Sequence, residues 1–596
     1  MKLGNVETSK LFAVCGVLGG VVLFVAPFIG RENVGQLNNE PASSIVGLAD
    51  DWTHRHVVFT HSDSPEVVEA MRHDPRFWLQ RLKRGGAQSP EAPELLRSAP
   101  LAPSGIGPIM PWPRGPRPQR NRVDWNVSLG ASGARVADGM YPAKFTFAPI
   151  GAPDCTNDFV VFALDLGSSA TQAGIAAFNN LYTNASGTGF CAGAGPTVKW
   201  AYNTTSGGAI TTSPVLSLNG TKVAYVEDGS PPAFHVLTPG SGGTIASPLS
   251  GTGVDVRVSY GATGDTRSSP FVDYLNDVAY VAADDGKLYK FTGVFNGTPT
   301  LVTTGGWPLT IAAGGNSVIL TSPVLDPVTQ RVFIGDGNGA LHLVRLSASD
   351  PCAGSVAAPC VDSTNVALSG GTHPLIDGPI VDSTNQKVFA FMEGNAGGSY
   401  SVTQTTTLLG SAVTVPVGAN TAAATGHIGA FDDAYFTSGP SSGHLYVCGT
   451  LGSGSSAASP SVWRIGFTGS TLNSTPSDGP LQLVTSGAQG CSPLTTFHNP
   501  NVGPSGTEFL FVSVTANCSA TITGGCIRAF DITGGFPTGT TGTGVITLAE
   551  GGGTSGIVVD NVSTLAQAAS IYFSNLADTS NKIGANAIKL TQSGLQ

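Results

Sequence analysis

The sequence predicts an all-β protein built from repeated, turn-bounded units, and three features lead to this prediction. Of the 596 residues, 79 are Gly and 40 are Pro, so turn-forming residues are abundant. Charged residues make up only 11 % of the chain, against roughly 25 % in an ordinary soluble domain. A similar segment recurs along residues 123–596. This combination excludes a disordered chain, a collagen and a coiled coil.

The distribution of charge excludes one class of partner. The formal net charge is −10, and the acidic excess lies in residues 123–596, whereas residues 52–122 are basic. Affinity for the phosphate backbone comes from Lys and Arg. We therefore expect no nucleic-acid partner for the large acidic body.

The N-terminus predicts export. Lys2 and Lys10 precede the uncharged apolar run LFAVCGVLGGVVLFVAPFI of residues 11–29. At about 1.5 Å per residue this run just spans the hydrocarbon core of a membrane. Residues 1–30 are therefore either a cleaved signal peptide or an uncleaved anchor, and both alternatives stay open. Either one places the protein in the periplasm, on the cell surface or outside the cell.

The cysteines support an exported location. Apart from Cys15, their number is even, which in an exported chain predicts disulfides. Two pairs flank short turn-rich loops, and the other two follow by elimination. The predicted pairs are Cys155 with Cys191, Cys352 with Cys360, Cys448 with Cys491, and Cys518 with Cys526. The chain has no Cys-x-x-Cys, so attachment of a metal or haem at cysteine is excluded.

Residues 31–85 predict a small α/β segment, followed by a Pro- and Arg-rich linker over residues 86–122. WTHRHVVF (52–59) is strand-like, and Ser64 precedes the first of two short helices. On a strand, His54 and His56 would share one face, with His61 nearby, which makes the three side chains candidates for a Zn²⁺ or Cu²⁺ site. The alternative is an exposed strand with polar alternation. The segment either docks on the rest of the protein or binds another protein.

The repeat predicts a β-propeller. SSPFVDYLNDVAYVAADDGKLYKF (268–291) parallels TSPVLDPVTQRVFIGDGNGALHLV (321–344), and each unit holds three strands, with a fourth in the spacer. Eight such units predict eight four-stranded blades. A seven-bladed ring with one unit outside it, or an array of β-sandwiches, are the alternatives. The strand at 123–127 has no unit before it, and the last unit lacks a fourth strand, so we expect the N-terminal strand to close the ring.

Several polar residues recur at fixed places in the repeat. Asp273, Asp326 and Asp382 follow the first strand, where they are expected to cap a turn rather than line a channel mouth. The Asp-Gly sequences at 284–286 and 336–339 predict hairpin turns rather than calcium loops. His235 and His342 occupy the strand position that Tyr289 fills in its repeat.

The pattern S-P-x-x-D, V-x-Y-V and D-G-x-L-Y resembles the blades of quinoprotein-like propellers, which have pyrroloquinoline-quinone-type repeats. The chain also resembles exported bacterial propeller proteins without an assigned activity. The first resemblance covers most of residues 123–596 and concerns blade architecture. It implies either a dehydrogenase or a scaffold, including the propeller subunit that assists outer-membrane protein assembly. The family's enzymes use adjacent cysteines, a bound Ca²⁺ and a Trp-containing blade signature, and this chain has neither the adjacent cysteines nor that signature.

These features favour an exported, non-catalytic binding or scaffold module for a protein or polymer partner. No nucleophile elbow, P-loop or zinc-protease motif is present, so catalytic and cofactor-binding residues stay unassigned. A periplasmic quinoprotein-type oxidoreductase, with quinone and Ca²⁺ at the channel, is one alternative. A carbohydrate-binding surface protein, with a polysaccharide partner and clustered exposed aromatic residues, is another. Converging charged groups in the channel favour an enzyme, and small polar residues favour a scaffold.

Overall fold

The structure is a computed structural model that describes most of the chain from residue 47 onward. The ranges are 47–62, 64–84, 121–147, 153–187, 189–261, 265–312, 319–368, 375, 377–392, 400–418, 427–451, 459–487, 489–499, 506–561, 567–577 and 585–592. The predicted signal or anchor (1–30), with Cys15, and nearly all of the predicted linker lie outside these ranges. Within them, no helix is both long and apolar enough to cross a membrane.

The N-terminal part combines short strands and helices. Its elements are β1 (Leu48–Asp50), α1 (Thr53–His56), β2 (Val57–Val58), α2 (Pro65–Arg72) and α3 (Pro75–Lys83). The helix α2 begins after Ser64, as the sequence predicts, and α3 is the second of the two predicted short helices. The Ser64 side chain accepts a hydrogen bond from Val67 N, and Asp74 accepts one from Arg76 N. Each helix has a proline in its first turn, where no backbone N–H is needed.

Eight sheets form the ring, and each is a blade of at least four strands. The first four blades take their strands from the following ranges. Blade 1 has β4 (Ala143–Thr146), β5 (Phe159–Ala163), β6 (Ile175–Asn179) and β7 (Thr197–Asn203). Blade 2 has β8 (Val215–Leu216), β9 (Val223–Glu227), β10 (Ala233–Leu237) and β12 (Asp255–Ser259), while β11 (Leu249–Ser250) pairs with β7. Blade 3 has β13 (Phe271–Asp273), β14 (Val278–Ala283), β15 (Lys287–Thr292), β16 (Thr300–Leu301) and β17 (Leu309–Thr310). Blade 4 has β18 (Val324–Asp326), β19 (Arg331–Gly335), β20 (Ala340–Arg345) and β21 (Cys360–Ala367).

The other four blades follow the same order from the inner to the outer strand. Blade 5 has β22 (Ile380–Asp382), β23 (Lys387–Met392), β24 (Ser401–Thr406) and β25 (Val413–Pro416). Blade 6 has β26 (Ala430–Phe431), β27 (His444–Thr450), β28 (Pro460–Thr468), β29 (Thr471–Leu472) and β30 (Asp478–Gln482), with α4 (Asp433–Thr437) after its first strand. Blade 7 has β31 (Thr495–Asn499), β32 (Thr507–Ala516), β33 (Gly524–Asp531) and β34 (Val545–Ala549). Blade 8 has β35 (Val558–Asp560), β36 (Ser570–Ser574), β37 (Asn586–Gln592) and β3 (Asn121–Ser128). Two 3-10 turns lie at Ala353–Ser355 and Pro440–Ser442.

The ring closes as the sequence predicts. Strand β3 pairs antiparallel with β37 and forms the outer strand of blade 8, although it precedes blade 1 in the chain. Trp125 on β3 is buried, and its indole Nε1 donates to Leu181 O of blade 1 at 3.1 Å. Eight blades and the all-β propeller are therefore confirmed, and the seven-bladed and β-sandwich alternatives are wrong.

Buried ion pairs lie where the first and last blades meet. Lys144 of blade 1 lies 2.9 Å from Asp560 of blade 8, and Lys589 lies 3.1 Å from Asp124 on the closing strand. All four side chains are buried. Burial, outweighing its attraction to Asp124, lowers the pKa of Lys589 to about 8. The two ion pairs join segments from both ends of the ring.

The recurrent serine of the Ser-Pro pair links one blade to the next. Ser213 Oγ accepts a hydrogen bond from Tyr141 N at 2.9 Å. Ser269 Oγ accepts one from Ser213 N, and Ser322 Oγ accepts one from Ser269 N, each at 2.8 Å. Because all three serines are buried, these bonds satisfy backbone donors that water does not reach. The sequence repeat is thus a repeat of contacts between neighbouring blades.

The recurrent aspartates cap turns. Asp273 accepts hydrogen bonds from the backbone of the turn that follows β13, and Asp326 and Asp382 do the same after β18 and β22. Asp336 Oδ1 accepts from Asn338 N and Ala340 N inside its hairpin. The capping interpretation is confirmed, and so is the hairpin turn at Asp336.

All four predicted disulfides are present. They join Cys155 to Cys191, Cys352 to Cys360, Cys448 to Cys491, and Cys518 to Cys526. Each lies within one blade or between neighbouring blades, so none crosses the ring. Four disulfides indicate an oxidising compartment.

We predict that Ser269→Ala destabilises the ring. The substitution leaves Ser213 N buried without its acceptor, which costs about 1–3 kcal/mol. Chemical denaturation should therefore show a lower midpoint for this variant than for Ser349→Ala, which alters an exposed serine. Equal midpoints for the two variants would contradict the role assigned to the serine.

Candidate functional site

The N-terminal segment fills one end of the central channel. We call residues 47–62 and 64–84 the plug. Strand β1 pairs antiparallel with β4, the inner strand of blade 1, and β2 pairs parallel with β22, the inner strand of blade 5. Blades 1 and 5 lie four positions apart in a ring of eight, so the plug is fastened to opposite sides of the channel.

Arg76 fixes the plug to blade 3. Its guanidinium is buried, pairs with Asp74 at 3.0 Å and donates to Val272 O on β13 at 2.7 Å. It also lies over the Phe271 ring, 4.5 Å from the centroid. Trp52 adds a second contact with this blade, because its Nε1 donates to Pro270 O at 3.1 Å. The docking interpretation of the N-terminal segment is therefore confirmed.

The strand predicted over residues 52–59 is wrong in its first half. Thr53–His56 forms the single helical turn α1, and only Val57–Val58 is a strand. The turn is stabilised by Asp51, whose Oδ1 accepts hydrogen bonds from the backbone N and the hydroxyl of Thr53. Sequence alternation alone did not show this local capping.

The three candidate metal ligands have separate surroundings. His54 lies 3.5 Å from Asp51 Oδ1, and the buried His56 donates from Nδ1 to Pro379 O at 3.0 Å. His61 is exposed at the outer edge of the plug, where its backbone N donates to Phe436 O. Throughout the described ranges, no three His, Cys, Asp or Glu side chains are arranged to hold a metal ion.

The loop between β3 and β4, residues 129–142, crosses the channel next to the plug. Met140 Sδ accepts hydrogen bonds from Ser213 and Ser269, and Met140 O accepts one from Gly556 N of blade 8. Tyr141 is buried, and the Arg55 guanidinium of the plug lies 5.8 Å from its ring centroid. This crossing loop and the plug therefore meet inside the ring.

An ionic cluster joins the crossing loop to the opposite blades. His427 Nδ1 lies 3.0 Å from Asp377 Oδ2, and His427 Nε2 lies 3.7 Å from Asp138 Oδ1 of the crossing loop. Burial opposes protonation of His427, but Asp377 and Asp138 outweigh it and raise its pKa well above the ordinary value. The two carboxylates therefore favour the protonated form of His427.

A cavity remains between the plug and the inner ends of blades 5 to 8. Its volume is about 100 Å³, and we call it the channel cavity. The plug contributes most of its polar groups, and the blades contribute most of its apolar wall. The lining residues are Asp50, His54, Arg55, Val58, Leu79, Gln80, Lys83, Arg84, Ile380, Gly429, Ala430, Phe431, Phe436, Leu494, Thr496, Phe497, His498 and Val559.

A second concave surface lies on the plug itself. We call it the plug groove, and its volume is about 590 Å³. It runs between β2 and the helices α2 and α3 and is lined by Thr60, His61, Ser62, Pro65, Val68, Glu69, Met71, Arg72, Phe77 and Arg81. An adjoining depression continues it to Arg84 and Phe436. Two of the ten groove residues are arginines and one is an acid.

Both small polar residues and converging charged groups occur inside the ring. Buried serines line the blade junctions, as expected for a scaffold. Charged groups also converge, at Asp377 with His427 and in the channel cavity. The sequence did not indicate these charged groups, because they come from distant segments that only the ring brings together. The strand positions His235 and His342 are confirmed, and each is paired with a carboxylate within its own blade.

The exposed aromatic residues are dispersed. Among the described residues, Phe147 and Phe190 are the large aromatic hydrophobic side chains that are exposed. They lie in different loops of blade 1. The clustered aromatic face expected of a carbohydrate-binding surface is not formed by the described part of the chain.

Comparisons with known proteins give structural likeness only. No family model and no curated protein matches the chain. Sqt1 of Chaetomium thermophilum is similar at a TM-score of 0.38 and 12 % identity, over 80 % of this chain and 98 % of that one. BamB from Moraxella catarrhalis is similar at a TM-score of 0.40 and 10 % identity, over 79 % of this chain and 100 % of that one. Sqt1 bound to the N-terminus of the ribosomal protein L10 is similar at a TM-score of 0.38 and 11 % identity, over 78 % of this chain and 99 % of that one.

We predict that His427 makes stability depend on pH. Its pKa is raised in the folded state above the value of about 6.5 expected when unfolded, so its contribution is complete below that pH. The contribution is then lost as the pH rises through the folded-state pKa. The difference in unfolding free energy between the natural chain and His427→Gln, measured by chemical denaturation, should therefore shrink steadily above about pH 6.5. A difference that stays constant or grows with pH would contradict the assignment.

Proposed function

We propose that this protein is an exported, non-catalytic module that binds a partner protein through the plug groove. The observation that carries the proposal is that the chain's own plug and crossing loop fill the channel, where a propeller enzyme would hold its substrate. The plug also presents a groove on its outer side. Because the channel is occupied, a partner would bind on the outer surface of the plug rather than inside the channel.

The chemistry of the groove indicates an acidic partner segment. Arg72 and Arg81 line it, with Arg84 at its continuation. Glu69 faces Arg72 at 3.7 Å, but both side chains are substantially exposed, so their attraction is weak. Arg81 lies over the Phe77 ring at 5.6 Å and has no carboxylate within ion-pairing distance among the described residues. Arg81 therefore presents a positive charge at the groove, on a chain whose net charge is −10.

The apolar floor adds a second requirement for the partner. Met71 and Phe77 are buried beneath the groove, and Val68 is half-buried at its side. An extended segment with alternating acidic and apolar residues would place its apolar side chains on this floor and its carboxylates on the arginines. A protein segment satisfies both requirements, whereas a neutral polysaccharide offers no carboxylate to the arginines.

The quinoprotein-type alternative has less support. The family's adjacent cysteine pair is absent from the sequence, and the channel where its cofactor would lie is largely occupied by the plug. A dye-linked dehydrogenase assay after addition of pyrroloquinoline quinone and Ca²⁺ separates the two functions. Turnover in that assay would favour the enzyme over the binding module.

We predict that a fluorescein-labelled peptide of alternating Glu and Leu binds the protein and that Arg81→Glu weakens this binding. Reversing one charge at a partly exposed contact should lower the affinity about tenfold, or about 1.4 kcal/mol. Fluorescence anisotropy measures the affinity, and added salt should weaken it because exposed charges are screened.

Two controls make the peptide experiment specific. Arg257→Glu reverses an exposed arginine on β12, the outer strand of blade 2, whereas the plug pairs with inner strands, and this variant should bind like the natural chain. A peptide of alternating Lys and Leu should not bind. Equal affinity of the Arg81→Glu and Arg257→Glu variants for the acidic peptide would overturn the assignment of the groove.

A further inference from the structure

The junction between the first and last blades holds a side-chain pair placed for a reaction that the proposed function does not require. Lys589 on β37 and Asp124 on the closing strand β3 are both fully buried, and Lys589 Nζ lies 3.1 Å from Asp124 Oδ2. The carboxyl carbon is bonded to that oxygen, so the nitrogen and the carbon of an amide bond already lie side by side. Holding reacting atoms in contact removes much of the entropic barrier to their combination.

A β-bulge places two residues of β3 opposite Lys589. In the β3–β37 ladder Val123 pairs with Leu590 and Trp125 pairs with Lys589, so Asp124 is the extra residue between them. On the other side of β37, Lys589 pairs with Tyr572, which is buried like Trp125. The lysine therefore faces a carboxyl group while buried aromatic residues on both neighbouring strands shield the pair from water.

The hydrogen bonds around Asp124 distinguish its two oxygens. Oδ2 accepts from the Thr591 hydroxyl and contacts Lys589 Nζ, whereas the buried Oδ1 has no hydrogen-bond partner among the described residues. A buried carboxylate with an unsatisfied oxygen is costly, and so is a buried ammonium. Conversion of the pair to an amide would remove both charges and release the unpaired oxygen as water.

The neighbouring ion pair lacks these features. Lys144 Nζ has an acceptor for each of its three N–H groups, in Asp560, Thr146 and Tyr182. Lys589 Nζ contacts two acceptors in the described part of the chain, a carboxylate and one backbone carbonyl. As an amide nitrogen it could keep its hydrogen bond to that carbonyl, whereas Lys144 would lose acceptors that it now contacts.

We propose that Lys589 and Asp124 condense to an isopeptide bond that closes the ring covalently. The bond joins the strand that precedes blade 1 to the last strand of blade 8 in the chain. The four disulfides lie in blades 1, 4, 6 and 7 and leave this junction unlinked. The cross-link therefore gives the closure of the ring the covalent support that the disulfides give to other blades.

The reaction needs the neutral forms of both groups. Burial, foremost, lowers the pKa of Lys589 to about 8, and transfer of a proton from its ammonium to Asp124 leaves an amine and a carboxylic acid. The lone pair of Nζ forms the bond to the carboxyl carbon. The bond from that carbon to Oδ1 breaks with its electron pair, and Oδ1 leaves as water with one proton from the acid and one from the amine. The Thr591 hydroxyl stabilises the charge that develops on Oδ2.

Peptide mass spectrometry of the full chain, unfolded, reduced and digested with trypsin, tests the proposal. Trypsin does not cleave after an acylated lysine. The expected product is therefore the peptide 123–135 linked to the peptide that begins at residue 583 and continues through Lys589, lighter by one water than the two together. Incubation of the folded protein at about pH 8, where more of the amine is neutral, should convert any unlinked fraction.

Lys589→Arg is the matched control, because it keeps a positive charge beside Asp124 but has no amine that can form the bond. This variant should give the peptides 123–135 and 583–589 separately. In denaturing, reducing electrophoresis it should also migrate differently from the natural chain, in which the cross-link holds residues 124–589 in a closed loop.

The outcomes are distinct. Separate peptides 123–135 and 583–589 from the natural chain, both before and after incubation, overturn the proposal. A link between Lys144 and Asp560 instead overturns the assignment of the reactive pair. If Lys589→Arg does not fold, the peptides of the natural chain decide alone. The cross-link lies in the ring and not in the plug groove, so its absence leaves the assignment of the partner site standing.

Discussion

The inner edges of opposite blades, and the two short strands that cover them, determine how the rest of this molecule is arranged. The first strand of a propeller blade has one edge of backbone donors and acceptors that faces the axis. At blade 1 this edge is covered by β1, and at blade 5 by β2. Because β1 and β2 pair with opposite blades, the six residues between Asp50 and Val57 must cross the channel. The crossing places Arg55 against Tyr141 and leaves the channel cavity on the side of blades 5 to 8.

The ring itself depends on contacts that repeat from blade to blade. Ser213, Ser269 and Ser322 each accept a backbone hydrogen bond from the preceding blade, and Asp273, Asp326 and Asp382 cap the turns after the inner strands. The bonds between blades thus use small uncharged residues, which is consistent with the low content of charge. The ion pairs of Lys144 and Lys589 occur where the two ends of the ring meet. There the first blade must join the last, and oppositely charged partners from both ends lie side by side.

Much of the fold could be predicted because its determinants are local and recur. The Ser-Pro pair, the strand that ends in Asp and the Asp-Gly turn appear in successive units, and closure by β3 follows from an unpaired first strand and an incomplete last unit. The disulfides followed from the parity and spacing of the cysteines. The strand predicted over residues 52–59 is wrong in its first half. There the two hydrogen bonds from Thr53 to Asp51 stabilise a helical turn, although polar and apolar residues alternate along the segment. The cavity and the Asp377–His427 contact could not be predicted, since their residues come from blades and loops far apart in the sequence.

Hydrogen–deuterium exchange of the intact protein tests most directly whether the plug is part of the propeller. If β1 and β2 are strands of blades 1 and 5, the amides of Leu48–Asp50 and Val57–Val58 should exchange as slowly as those of the inner strands they pair with. Mass spectrometry of peptides that cover residues 47–60, compared with peptides that cover β4 and β22, gives the two rates. Exchange of the plug amides at the rate of an unstructured peptide, while β4 and β22 remain protected, would contradict the account.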